Sequence, residues 1–246
     1  MSMLKAFKAL GPIDVRSVSR DSLLRWMAIL PLVIALAARL AIPPALFNLE
    51  ELLSFELMTY YPAFMGYVLL TIAPNLCGMV IGFLLLDQRD DHTLTALQVT
   101  PLPMNSYLVY RLGMPMLISL LVTLLAFPIA GLSENGLLTL LAASIAAAPL
   151  APMMALILGA FAANKVQGFA LTKASGVFFI APVIAYFAPG NWQWAFGVVP
   201  TFWPAKLFWM LQAGESGGWI VFLIGLIYQA LLLALLLRRF NTVTHR

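Results

Sequence analysis

Residues 62–92 read PAFMGYVLLTIAPNLCGMVIGFLLLDQRDDH. Residues 62–86 contain no Asp, Glu, Lys or Arg, and residues 87–92 then supply three aspartates, an arginine and a histidine. About 20 apolar residues cross the hydrocarbon core as a helix. Inside lipid only a helix or a closed barrel satisfies every backbone polar group. This stretch is therefore expected to span a bilayer as a helix and to end abruptly where charge returns.

The pattern recurs on both sides. Spans are expected at about 26–42, 62–86, 106–131, 137–163, 171–188 and 219–237. The first is expected to stop at Pro43-Pro44, and Ser133-Glu134-Asn135-Gly136 reads as a tight turn. Over the whole 246 residues 62% are apolar and 10% charged, where a soluble domain carries roughly 25% charged residues. The fold class expected is an all-α integral membrane protein with six transmembrane helices (26–238), a cytoplasmic N-terminal segment (1–25) and a short tail (239–246). No stretch is left for a soluble catalytic domain.

Orientation follows from Lys and Arg alone. With the N-terminus inside, twelve of the fourteen fall on the cytoplasmic side and only Arg39 and Lys206 outside. Both termini are thus expected in the cytoplasm, in a multi-pass protein of the inner (plasma) membrane. The net charge of +4 is explained by this topology and not by nucleic acid. Residues 3–25 read as an amphipathic segment on the membrane surface, broken into two pieces at Gly11-Pro12, with Phe7, Leu10, Ile13 and Val15 toward lipid. The run from these basic residues into a full span argues against a cleavable signal. Tyr60, Tyr61, Trp192, Trp194, Trp203, Trp209 and Trp219 are expected near the outer interface as an aromatic belt. Residues 189–218 are too apolar for a free loop and are expected to form short helices re-entering the outer leaflet.

The single cysteine, Cys77, excludes a disulfide or thiolate metal cluster within one chain. The two histidines, His92 and His245, do not form H-E-x-x-H, and no pair of mid-span aspartates exists. An intramembrane enzyme is thereby disfavoured, no metal site is expected, and ion coupling by buried acids has no support. Gly78 and Gly82 form a GxxxG that lets helices approach closely, and the small residues of span four (Ala142 to Ala151) belong inside the bundle. Prolines 74, 115, 128, 149, 152 and 182 permit kinks. Asn75, Thr71, Lys173 and Gln229 are the polar candidates at membrane depth. Phe64, Tyr67, Phe178, Phe179 and Tyr186 would suit a cavity for an apolar substrate.

The most informative polar stretch follows span two. Asp87, Arg89, Asp90, Asp91 and His92 lead into Thr93, Leu94, Leu97 and Val99, a short amphipathic piece, and Thr100-Pro101-Leu102-Pro103 turns the chain back toward the membrane. Gly82 to Arg111, GFLLLDQRDDHTLTALQVTPLPMNSYLVYR, resembles the cytoplasmic coupling segment of ABC-2-type transporter permeases. Asp stands where that family usually has Glu, and His92 where it has Gly. Pro200-Thr201-Phe202-Trp203 resembles the family's outer Pro-x-x-Trp element. Asn164-Lys165-Val166-Gln167-Gly168 is similar to the second cytoplasmic loop of a subgroup of drug exporters that includes fluoroquinolone export permeases.

The resemblance implies a type V exporter-like architecture and the permease subunit of an ATP-binding cassette exporter, moving a hydrophobic or amphipathic substrate, a drug among them. It implies an ABC ATPase subunit as partner and a second permease chain, identical or not. No cofactor is expected in this chain, which lacks G-x-x-x-x-G-K-[ST]; ATP and Mg would be bound by the ATPase. The alternative is a non-transporting membrane scaffold or assembly factor.

Overall fold

The computed structural model describes residues 3–91, 104–132 and 136–244. Among these there is no strand. The helices in chain order are α1 (Met3–Arg20), α2 (Ser22–Leu40), α3 (Ile42–Leu53), α4 (Tyr61–Asp90), α5 (Met104–Ala130), α6 (Leu137–Ala147), α7 (Leu150–Phe161), α8 (Lys165–Ala174), α9 (Val177–Phe187), a 3-10 segment (Gly190–Val198), α10 (Phe202–Gln212) and α11 (Gly218–Thr244). Among the described residues, six helical stretches are long and apolar enough to cross a membrane: α2, α4, α5, α6 with α7, α8 with α9, and α11.

Two of these crossings form the interior. The apolar windows of α4 and of α6–α7 are each 83% buried, against 28% for α2 and 17% for α11. α4 and α7 make the most extensive helix contact in the fold. Lipid tails are as apolar as leucine, so this contact rests on close packing and not on escape from water. A Cβ on Gly78 would lie 2.2 Å from the Ala151 carbonyl oxygen, and one on Gly82 would lie 2.6 Å from Leu158 Cδ1. Ala142, Ala143, Ser144, Ala146, Ala147, Ala148 and Ala151 are all buried in this core.

Several helices differ from the sequence expectation. α1 is one continuous helix through Gly11-Pro12. Leu10 on one side of the proline and Tyr110-bound Asp14 on the other are both held by the bundle. Leu10 is buried, whereas Ile13 and Val15 are exposed, so the expected lipid-facing row does not hold at Leu10. α2 ends at Leu40, close to the stop expected at Pro43-Pro44, and these prolines occupy the first turn of α3, where a proline lacks only an N–H that has no helical partner. The fourth crossing is broken between α6 and α7 at Ala148-Pro149. The fifth begins six residues early, at Lys165, and is interrupted at Ser175-Gly176.

At the end where α4 begins, rings fill the space between α4, α9 and α10. Phe64 and Tyr186 lie 5.0 Å apart, and Tyr186 and Trp209 4.8 Å apart. Trp209 is buried and donates its indole N–H to the Ala63 carbonyl at 3.0 Å. Trp209 thus lies at this end of the bundle with its indole satisfied within the protein, while Trp192 and Trp219 are exposed. α10 packs against α4, α6 and α11, which makes the aromatic segment a re-entrant part of the core.

Candidate functional site

The opposite end of the bundle, where α4 finishes, gathers the chain's ionic contacts. Leu84, Leu85 and Leu86 are buried, and the helix emerges at Asp87, Gln88 and Arg89, all partly exposed. Asp90 and Asp91 are exposed, and the Asp91 N–H closes the helix on the Asp87 carbonyl at 2.9 Å. His92, Thr93, Leu94, Leu97, Val99, Thr100 and Pro101 lie outside the described residues.

Lys165 reaches α4 from the start of α8. Its Nζ lies 2.9 Å from Asp87 Oδ1 and 3.4 Å from Asp21 Oδ2. Local chemistry fixes it there. Asn164 caps α8, its Oδ1 accepting the Gln167 N–H at 3.0 Å, and Gln167 Oε1 accepts the Ala163 N–H at 2.8 Å. This is a reciprocal cap of the kind that sets a helix start. The segment expected as a loop is therefore a helix N-terminus with Lys165 at its first position. Arg89 Nη1 donates to the Ala162 carbonyl at 3.2 Å, tying α4 to the end of α7.

Asp21 is the N-cap of α2, its Oδ1 accepting the Leu23 N–H at 2.9 Å and the Leu24 N–H at 3.3 Å. Burial pushes its carboxyl up, but those two amides and the Lys165 ammonium outweigh it and hold the group below its ordinary value.

A second tie lies deeper. Arg111 of α5 is almost wholly buried, at 1% exposure, and its Nη1 meets Asp14 Oδ2 of α1 at 2.8 Å. Tyr110 Oη donates to the same carboxylate oxygen at 2.7 Å. Arg111 Nε donates to Tyr107 Oη at 3.2 Å, and Tyr107 Oη donates to Gln88 Oε1 of α4 at 2.8 Å. The guanidinium carbon lies 5.4 Å from the Tyr107 ring centre and 5.7 Å from that of Tyr110. The contacts form a polar circuit of two arms joined through the backbone of α4: Asp14 of α1, Arg111 and Tyr107 of α5 and Gln88 of α4 in one, and Asp87 of α4, Lys165 of α8 and Asp21 at the head of α2 in the other.

The circuit brings Asp87 and Lys165 together directly and leaves Asp90 and Asp91 facing outward. Asp14, Asp21, Gln88 and Tyr110 are members that the sequence reading missed. Asp14 and Asp21 are the only acids in the first 49 residues, set among arginines, and that isolation is the signal that could have found them.

At the far end, Pro200 and Trp203 sit at the start of α10. Trp203 Nε1 donates to the Gly197 carbonyl at 2.9 Å, and its ring lies against Tyr228. Gly225 of α11 has its Cα so close that an added Cβ would fall 2.8 Å from Trp203 Cβ. Thr201 Oγ1 donates to the Phe178 carbonyl, and buried Gln229 approaches the Pro200 carbonyl at 3.5 Å. Thr71, Asn75, Phe178 and Phe179 line only a small space of about 40 Å³ there. No group of three or more His, Cys, Asp or Glu able to hold a metal occurs among the described residues.

The comparisons with known proteins agree with one another. A family described as Fluoroquinolones export permease protein Rv2686c-like matches residues 14–237. The chain is 33% identical over 240 residues to the fluoroquinolones export permease protein Rv2686c of Mycobacterium tuberculosis (strain ATCC 25618 / H37Rv), covering 96% of this chain and 94% of that protein. The same identity and coverage hold for the fluoroquinolones export permease protein MT2760 of Mycobacterium tuberculosis (strain CDC 1551 / Oshkosh). No solved structure matches. With six apolar crossings and a match running from Asp14 through the last of them, the chain belongs to the Rv2686c-like family of export permeases.

Proposed function

We propose that this chain is the permease subunit of an ATP-driven drug exporter, and that the polar circuit at the end of α4 is where force enters it. The supporting observation is the circuit itself. Asp87 and Gln88, the last well-packed turn before residues 92–103, are bonded to α8 and α5, and through them to α1 and the head of α2. A push on the segment after α4 would reach four other helices through side chains and not through one flexible hinge. The basic residues at this end favour the cytoplasmic side, where a separate ABC ATPase would act. That ATPase would bind the ATP and Mg, since this sequence has no phosphate-binding loop of its own. A second permease chain would complete the pathway. Fluoroquinolones, named for both relatives, are the first substrates to test; a hydrophobic or amphipathic compound is the broader class.

The test is co-expression with an ATPase encoded beside this chain. A complex that hydrolyses ATP and lowers cellular fluoroquinolone accumulation is expected. Substitutions across Asp90–Thr93 or Thr100–Pro101 should separate ATP hydrolysis from export. If no ATPase copurifies and deletion leaves drug accumulation unchanged, the exporter reading fails and a scaffold takes its place.

A further inference from the structure

A cavity of about 380 Å³ opens between α1, α2, α4 and α5. Its floor is α4, where Cys77, Val80, Ile81 and Leu84 are buried. Its mouth carries exposed Val15 and Ile29, which face outward among the lipid-facing residues of α1 and α2. The one acid in the wall, Asp14, is already engaged by Arg111 and Tyr110. The one cation in the wall, Arg25, is exposed and has no ion-pair partner among the described residues. The same is true of Arg16 and Arg20 on the outer side of α1. The only acids nearby in sequence, Asp14 and Asp21, are both committed to cations.

We propose that this cavity binds one acyl chain of an anionic phospholipid, with Arg25 holding the headgroup phosphate. An apolar space of this size gives water no hydrogen-bond partners and does not stay wet. Open to a bilayer, it is filled by the chains next to it. The choice of headgroup follows from charge: Arg25 lines the cavity with no ion-pair partner among the described residues, Arg16 and Arg20 add positive charge elsewhere on α1, and Asp14 and Asp21 are already engaged, which is the arrangement that attracts anionic lipid. A zwitterionic headgroup also offers Arg25 a phosphate, but its own ammonium offsets that charge, so an anionic headgroup gains more at this basic surface. The site is separate from the polar circuit except at Asp14 and Tyr110, so a lipid seated here would brace α1 against α4 and α5 from the lipid side.

The experiment uses the full chain, purified in detergent and mixed with a diazirine-bearing phosphatidylglycerol. After irradiation, crosslinks should map to residues 77–84, a surface that bulk lipid cannot touch, and unlabelled phosphatidylglycerol should compete while phosphatidylcholine should not. Arg25→Gln should lower the preference for phosphatidylglycerol over phosphatidylcholine about fivefold, the effect of removing one basic contact at a membrane surface. Ala28→Phe, which fills the mouth, should lower crosslinking to 77–84 by either lipid. Crosslinks confined to the outer faces of α2 and α5 would overturn the proposal, as would equal competition by the two lipids. So would a second copy of the chain found crosslinked at 77–84 in their place. The wild-type mapping stands even if Ala28→Phe does not fold, and none of these readouts depends on transport.

Discussion

Replacing Asp14 with leucine should be among the most damaging single changes in this protein. The Arg111 guanidinium is 1% exposed and donates to Asp14 at 2.8 Å. Its Nη2 has no hydrogen-bond partner among the described residues, so Asp14 and Tyr107 carry its polar contacts. Without Asp14 the positive charge remains buried with only the Tyr107 oxygen and two ring faces. Breaking a buried pair from one side costs about 3–5 kcal/mol, because it strands the remaining charge. For a chain of this length that corresponds to a melting shift of roughly 6–20 °C. Removing both charges with Asp14→Leu and Arg111→Met should recover most of the loss, since an apolar pair of similar volume is often neutral in place of a buried ion pair. The assay is thermal unfolding of the detergent-solubilised protein, following monodisperse protein by size exclusion, for the wild type, both single variants and the double. A double variant no more stable than Asp14→Leu would refute the reasoning, as would a single-variant loss under about 1 kcal/mol. Reduced export by a double variant of near wild-type stability would separate transmission through α1 from simple folding.

Gly78→Ala should destabilise by up to about 2 kcal/mol. Alanine is the better helix former by about 1 kcal/mol, but its Cβ would meet the Ala151 backbone oxygen at 2.2 Å, and forcing extra atoms into a packed core costs about 1–3 kcal/mol; chemical unfolding measures the sign. Lys165→Met breaks two bridges whose carboxylates are about a third exposed, so stability should change by less than about 1 kcal/mol while export falls, and unfolding and drug accumulation measured together check this. The Asp21 carboxyl sits below its ordinary value of 3.8, so its contribution is complete above that pH and is lost as pH falls below it. Stability of the wild type should drop below about pH 4 more than that of Asp21→Asn, and a difference that opens above pH 5 instead would have the sign wrong.

The crossings were readable because lipid imposes one demand on every residue in a span, whatever its neighbours are. Residues 62–86 could be assigned without knowing what they touch. The polar circuit was less readable because each member needs a partner distant in sequence. Asp14 and Arg111 are 97 positions apart, and Arg111 alone looked like one more orienting charge at a helix end. Lys165 and Asp87 were both singled out, but nothing in either loop showed that they meet. The burial of Trp209 is not legible because an indole satisfied at an interface and one satisfied by the Ala63 carbonyl look the same in sequence. Pro43-Pro44 marks the end of the first span, but nothing in the dipeptide shows that it also starts α3. Gly11-Pro12 was read as a break because the contacts that hold α1 straight come from α4 and α5.

The division between two enclosed crossings and four exposed ones has a mechanical consequence. α4 and α6–α7 seldom meet lipid, so bilayer thickness has little purchase on them, whereas α2, α5, α8–α9 and α11 must match it by tilting. Thinner or thicker membranes should therefore reorient the periphery about a fixed central mast. In such a design the surrounding lipid can set the tilt of the outer helices while the contact between α4 and α7 stays as it is.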